Sequence, residues 1–236
     1  MQTRELAVVL PVYNEQANIG NVVDEWLAEL GRLGIAAVLF TVNDGSRDGT
    51  AAALRGLEMR HPDALVALEK ANAGHGRACR TGYERAVVED IPWTLQIDSD
   101  GQCDPRFFAN FWARRAEADC LFGVRTTRDD GPLRALLSAG CRAATSLACG
   151  MDLRDANVPY RLVRTAALRE ALRRIPADFD MQNVALTVVL RRDRALRWVY
   201  LPIHFRDRQG GSNSLNVRRI LAMGWELLRD LKRIGR

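Results

Sequence analysis

The chain has 236 residues, of which 47% are hydrophobic and 27% charged, with a formal net charge of +5. That suits one large domain or two small ones with a substantial core, and excludes collagen-like, disulfide-scaffold and disordered classes. The net charge hides a split: residues 1–120 hold 12 Lys/Arg and 18 Asp/Glu, a net of −6, while residues 121–236 hold 22 and 11, a net of +11. An acidic half before a basic half points to a cation site in the first and an anionic partner for the second. Equally, it fits plain arginine-rich usage, since Lys70 and Lys232 are the only lysines.

Leu6–Val12 reads as a buried strand. Asn18–Leu33 reads as a helix, with Ile19, Val22, Val23, Trp26, Leu27, Leu30 and Leu33 on one stripe and Gly34 as its stop. Ala36–Val42 is expected as a strand, Thr50–Arg60 as a helix and Leu65–Leu68 as a strand, followed by a helix over Gly76–Val88 and a strand over Thr94–Ile97. This alternation predicts an α/β fold, a mostly parallel sheet covered by helices, whose ligands bind beyond the C-terminal ends of the strands. The second half is less regular. Phe107–Ala116, Pro132–Cys149, Thr165–Arg174 and Asp180–Arg191 read as helices, and Cys120–Gly123, Val158–Val163 and Leu196–Leu201 as strands. Leu215–Ile234 is a final amphipathic helix, and residues 216–236 carry six Lys/Arg and two acids. Such a helix can lie in an anionic membrane surface, or pack its apolar stripe on the core or on a second subunit. No domain boundary is visible, so a single domain over residues 1–236 is expected.

The five cysteines, Cys79, Cys103, Cys120, Cys141 and Cys149, form no CxxC pair and read as reduced thiols. Residues 1–12 lack a basic region and a cleavage site, so no signal peptide is expected. No apolar run reaches 18 residues, so membrane contact would be peripheral.

The chemistry sits at the strand ends. Pro11-Val12-Tyr13-Asn14-Glu15 follows the first strand, and Asn43-Asp44-Gly45-Ser46 to Thr50 follows the second. An aspartate there can accept from a nucleobase or a ribose hydroxyl, and a tyrosine can stack on a base. Each segment alone also reads as turn chemistry, with Asp48 or Thr50 as a helix cap. Asn72 to Arg77 follows the third strand; its glycines permit close backbone approach, while His75 reads as a structural or surface residue. The fourth strand ends in Asp98-Ser99-Asp100-Gly101-Gln102. In extended backbone the two aspartates point to one side and repel unless a cation lies between them. Oxygen ligands with an open shell suit Mg²⁺ or Mn²⁺, which also hold a diphosphate, and Gln102 can add a carbonyl oxygen.

In order and spacing, PVYNE, VNDGSRDGT, NAGHGRACRTGYERA and DSDGQ resemble the family-two glycosyltransferases of the GT-A fold. Within them they most resemble the polyprenyl-phosphate sugar transferases typified by dolichyl-phosphate mannose synthase. The resemblance continues through Gly123-Val124-Arg125, through Arg154 to Arg161, and through Phe205 to Ser214. It implies one Rossmann-like domain, with residues 1–120 for nucleotide sugar and metal and residues 121–236 for the acceptor. It implies nucleotide contacts at Pro11, Tyr13, Glu15 and Asp44, to which Ser99 is added, and metal ligation by Asp98, Asp100 and Gln102. Asp98, Asp100, Arg125 and Arg208 become the expected catalytic set, with Arg125 and Arg208 on phosphates. The chain departs from the family pattern in three places: at Asn43, at Val158-Pro159-Tyr160-Arg161, and at Asn213-Ser214, where a lysine is common.

The expected reaction is metal-dependent, inverting transfer from a nucleotide-diphosphate sugar to a polyprenyl phosphate. A phosphate acceptor is already anionic and needs positioning more than a base; Arg125, Arg128, Arg161 and Arg208 are the candidates to hold it. The alternative is transfer to a saccharide hydroxyl, with Asp178 or Asp180 as the base, although helix capping also suits either. A non-catalytic nucleotide-sugar-binding module is the third reading. No nucleic-acid partner is expected, and the protein is expected in the cytoplasm or on the cytoplasmic face of a membrane.

Overall fold

The computed structural model describes residues 3–125, 158–179 and 181–206. The expected helices Pro132–Cys149 and Leu215–Ile234 lie outside the described residues, as do Arg128, Asp180 and Arg208.

The first half follows its apolar runs closely. Strands β1 (Leu6–Val12), β2 (Ala37–Asp44), β3 (Leu65–Lys70) and β4 (Trp93–Ile97) alternate with helices α1 (Ile19–Arg32), α2 (Thr50–Arg60) and α3 (His75–Val88). Every residue of β1 and β4 is buried, as a central strand covered on both faces must be. α1 turns Ile19, Val22, Val23, Trp26 and Leu30 inward. Beyond β4, a 3₁₀ turn at Pro105–Phe107 precedes α4 (Phe108–Ala113), in place of the single helix expected over Phe107–Ala116. Strands β5 (Cys120–Arg125), β6 (Tyr160–Arg164) and β7 (Trp198–Ile203) complete the sheet, with α5 (Thr165–Arg174) and α6 (Gln182–Arg192) beside it.

The seven strands lie in the order β3-β2-β1-β4-β6-β5-β7. β1 to β4 pair in parallel, and so do β5 and β7, while β6 runs antiparallel to both of its neighbours. One reversed strand among six parallel ones gives the mostly parallel sheet that the alternation predicts. It also means that β1, β2, β4, β5 and β7 all end on one edge, where β6 begins.

Packing of α3 on this sheet is close. A Cβ on Gly82 would stand 2.3 Å from Cγ1 of Val9, a fully buried residue of β1. A branched side chain in a full core cannot yield that distance, so the clash outweighs the gain in helix propensity. Gly82→Ala is therefore expected to lower stability by about 1–3 kcal/mol. Chemical denaturation checks this; a midpoint at or above that of the wild type would contradict the packing.

Candidate active site

Two loops at the ends of β1 and β2 are laced into one floor. The Asn14 N–H donates to Ser46 Oγ at 3.0 Å, and the Arg47 N–H returns to Asn14 Oδ1 at 2.8 Å. The Glu15 N–H donates to Thr50 Oγ1 at 2.9 Å, and Gly49 N–H donates to Gln16 Oε1 at 2.8 Å. Asp48 accepts from both the amide and the hydroxyl of Thr50, and so serves the first turn of α2 from one residue before its N-cap, Gly49. Gly45 has φ +66°, and a Cβ there would lie 2.7 Å from the Asn72 backbone nitrogen. Only glycine lets the second loop turn against the third.

Asp44, 2% exposed, is the centre of that floor. Its carboxylate accepts from Lys70 Nζ and from the backbone amides of Ala73 at 2.9 Å and Gly74 at 2.7 Å. Burial alone would raise its pKa, but Lys70 and the two amides outweigh burial and hold the group below the ordinary carboxylate value. Asn43, beside it, points elsewhere: its amide donates to Glu69 Oε2 at 2.7 Å and its carbonyl accepts from Ser46.

The two aspartates come next. Ser99 is buried and its hydroxyl donates to the Pro11 carbonyl at 2.8 Å, which ties the end of β4 to the end of β1. Asp98 Oδ1 meets His75 Nε2 at 3.0 Å and accepts from Gln96 Nε2 at 3.0 Å. Burial opposes ionisation of Asp98, but His75, then Arg161 and Gln96, lower its pKa below the ordinary value. Cys79, whose sulfur is 3.8 Å from the ring, and then Asp98 itself raise His75 well above the ordinary imidazole value. His75, expected to be a structural or surface residue, is thus half exposed and in direct contact with the first aspartate. Asp100 Oδ1 accepts the Gln102 N–H at 3.1 Å.

Pro11, Tyr13, Glu15, Asp44, Ser99 and both aspartates line one cleft of about 500 Å³ at the sheet edge. Asn72, Gly74, His75 and Ala78 close its third side; the sequence marked the glycines of this turn for close backbone approach but did not place Asn72, His75 or Ala78 in the site. Their signal was the Gly-rich turn after the third strand. Gln102 turns its amide to the Arg206 carbonyl at 3.3 Å. Arg125 ends β5 on the same edge, across β6 from β4, with its guanidinium 4.9 Å over the Phe205 ring.

One acceptor-side expectation and one capping expectation require correction. Arg161 does not face an acceptor: it is 1% exposed, and its guanidinium donates to the Val158 carbonyl at 2.6 Å and the Asn183 carbonyl at 2.9 Å, over the Phe122 ring. It sits behind Asp98 as a buried cation. Asp178 does not cap α6, whose N-cap is Met181; Asp178 is exposed, and its carbonyl accepts from Arg77 at 3.2 Å.

Chemically, the floor offers hard oxygen donors and little else. Among the described residues, no group of three or more His, Cys, Asp or Glu is placed to hold a metal ion. Two carboxylates, one with an oxygen that neither His75 nor Gln96 engages, fit a Mg²⁺- or Mn²⁺-type ion that completes its shell with phosphate oxygens and water.

The pH dependence of Asp44 has a definite sign. Its folded pKa is lowered, so the stability it contributes is complete above the unfolded value near 3.9 and is lost as pH falls through the folded value. Asp44→Asn is expected to lower stability at neutral pH and to flatten the loss of stability below about pH 4. Denaturation as a function of pH checks this; an unchanged acid slope would remove the Asp44–Lys70 pairing from the site.

The cleft's residues fall within matches to known proteins. The family model described as Glycosyl transferase family 2 matches residues 7–172. An undecaprenyl-phosphate 4-deoxy-4-formamido-L-arabinose transferase of Shewanella sediminis is 24% identical over 229 residues, covering 96% of this chain and 66% of the relative. The chain thus spans about two thirds of that relative's length. A polyprenol monophosphomannose synthase of Mycolicibacterium smegmatis is 26% identical over 228 residues, covering 91% of this chain and 82% of the relative. Among solved structures, a Pyrobaculum calidifontis mannosyltransferase in complex with GDP-Man and Mn²⁺ superposes with a TM-score of 0.67 at 20% identity. It covers 100% of this chain and 66% of the other. A glucosyl-3-phosphoglycerate synthase of Mycobacterium tuberculosis, in complex with Mn²⁺, UDP-Glc and phosphoglyceric acid, gives 0.61 at 18% identity, covering 98% of this chain and 80% of the other. These likenesses share the α/β fold found here, and the family match takes in every strand and loop of the cleft: the chain belongs to glycosyl transferase family 2.

Proposed function

We propose that the chain catalyses metal-dependent, inverting transfer of a sugar from a nucleotide-diphosphate donor to a polyprenyl phosphate. The observation that carries this reading is the single cleft that joins a buried, ionised Asp44 to the Asp98–Asp100 pair at the C-terminal edge of the sheet. Asp44 is an acceptor for N–H or O–H groups of a base or ribose, and Tyr13, 43% exposed at the rim, offers a face for stacking. Asp98 and Asp100 would hold the divalent ion, which neutralises charge on the departing diphosphate. The relatives named for undecaprenyl-phosphate and polyprenol acceptors support a lipid phosphate on the other side.

The carboxylates of the cleft favour an acceptor that is already ionised. Among the described residues, four carboxylates line it. Glu15 accepts from Asn18 at 2.9 Å, Asp44 is held by Lys70 and two amides, and the remaining two are the metal pair. Among the described residues of the cleft, that leaves no further carboxylate to deprotonate a hydroxyl. A phosphate oxygen needs no base and attacks opposite the leaving diphosphate, which inverts the anomeric centre. Arg125 on the same edge, and Arg208 in the segment beyond Arg206, are the cations proposed to steady the acceptor. No described helix is long and apolar enough to cross a membrane. Contact with the lipid is proposed for the basic segment 216–236, whose charge suits an anionic membrane surface, at the cytoplasmic face.

The test is transfer from UDP- and GDP-sugars to undecaprenyl phosphate with Mn²⁺. Wild type is expected to form the lipid-linked sugar, and Asp100→Ala to lose about 10²-fold or more of the rate, the scale of several kcal/mol supplied by a metal. Arg208→Ala is expected to slow transfer more than it weakens donor binding. Full activity on a water-soluble saccharide with none on the lipid phosphate would overturn the acceptor and return attention to Asp178 and Asp180.

A further inference from the structure

Behind the two aspartates runs a line of buried polar side chains that the reaction as described does not use. Gln96 is the penultimate residue of β4 with no exposed surface, two residues before Asp98, so the pleat turns both toward one face. Its Nε2 donates to Asp98 Oδ1 at 3.0 Å. Its Oε1 accepts from Asn183 Nδ2, on α6, at 3.4 Å, and Asn183 Oδ1 accepts from the Tyr83 hydroxyl, on α3, at 3.2 Å. The first turn of α6 is itself held, because the Asn183 carbonyl accepts from Arg161 at 2.9 Å and from Thr187 Oγ1 at 2.8 Å.

The directions along this line are forced. A carboxylate can only accept, so Gln96 must present its NH₂ to Asp98. Its carbonyl then faces Asn183, which must present its own NH₂, and the Asn183 carbonyl takes the tyrosine proton. Burial keeps Tyr83 in its neutral, donating form. Turning either amide over would leave a buried donor or acceptor unmet, which costs more than a hydrogen bond gains on balance. One end of the line is a phenol locked between helices, and the other is one oxygen of Asp98. His75, the second partner, meets that same oxygen, and neither engages Oδ2.

Stability alone does not call for this arrangement. Apolar side chains of the same shape would fill the space without desolvating two amides and a hydroxyl. We propose that Gln96 is a positioning residue that, held through Asn183 and Tyr83, fixes the Asp98 carboxylate with Oδ1 engaged and Oδ2 left for the divalent cation of the donor complex. This inference rests on the reading of the cleft as a metal–nucleotide site.

Gln96→Met keeps the length of the side chain and removes both polar ends. The readout is the affinity for UDP and for GDP by calorimetry, with MnCl₂ and with EDTA, alongside the melting temperature. Mn²⁺ is expected to tighten nucleotide binding by the wild type. The variant is expected to match the wild type in EDTA and to lose about tenfold of the Mn²⁺ enhancement, the scale of removing a group that orients a metal-ligating carboxylate. A residue that only filled the core would shift stability and both affinities together and leave their ratio alone. Equal enhancement in Q96M and wild type overturns the inference and leaves the site standing; no enhancement in the wild type overturns the site and the inference with it. Should Q96M not fold, Asn183→Leu, which frees the Gln96 amide, is read by the same ratio, and an unchanged ratio there overturns the inference as well.

Discussion

An ionised carboxylate at the end of a buried strand must be neutralised by something, and this chain places two, Asp98 and Asp100, just past β4. Much of the surrounding structure answers that demand. His75 reaches Asp98 from the start of α3, Gln96 from within β4, and the buried Arg161 lends its charge from β6 behind. Ser99, between the pair, fastens the turn to Pro11 and so to the nucleotide side of the cleft. On Asp98 the demand is met at Oδ1, which leaves Oδ2 to the divalent ion proposed for the site.

The same edge carries a second, separate electrostatic lock. Asp104 is 2% exposed, and Arg106 and Arg206 both pair with it, holding its carboxyl far below the ordinary range; Arg206 also reaches Glu25 on α1. The Arg206 N–H donates to the Gln102 carbonyl, and Cys103 bridges to Phe205. The chain therefore leaves β7 pinned against the Asp100–Gln102 turn before it continues to Arg208 and the basic segment 216–236. The charge split fits the proposed arrangement: the acidic strand ends would gather the cation and the nucleotide, and the cationic half, from residue 121 onward, would meet the acceptor.

The first half was legible because its strands are mostly apolar and alternate with helical segments, the stripe of α1 plainest among them, so Leu6–Val12 and Thr50–Arg60 match the observed bounds. The cleft was legible because Asp44, Asp98 and Asp100 sit at strand ends, where a parallel sheet must present them. What stayed hidden depends on contacts far apart in sequence. Nothing local says that β6 runs antiparallel between β4 and β5. Arginine in a basic half reads as surface, yet the carbonyls of Val158 and Asn183 meet Arg161 in the interior. Lys70 and His75 owe their roles to the folding of the third loop against the second. Gln96 did carry a signal, the one amide in a strand otherwise of Trp, Thr, Leu and Ile, since a polar side chain is rarely buried without a fixed partner.

The most direct measurement of the central claim is the anomalous signal of manganese in crystals grown with Mn²⁺ and UDP or GDP, compared with crystals grown with Mn²⁺ alone. The expected result is one manganese between Asp98 and Asp100, touching the diphosphate, with the base against Asp44, and a weaker or absent peak without nucleotide. A nucleotide seated in the cleft with manganese elsewhere, or with none, would contradict it.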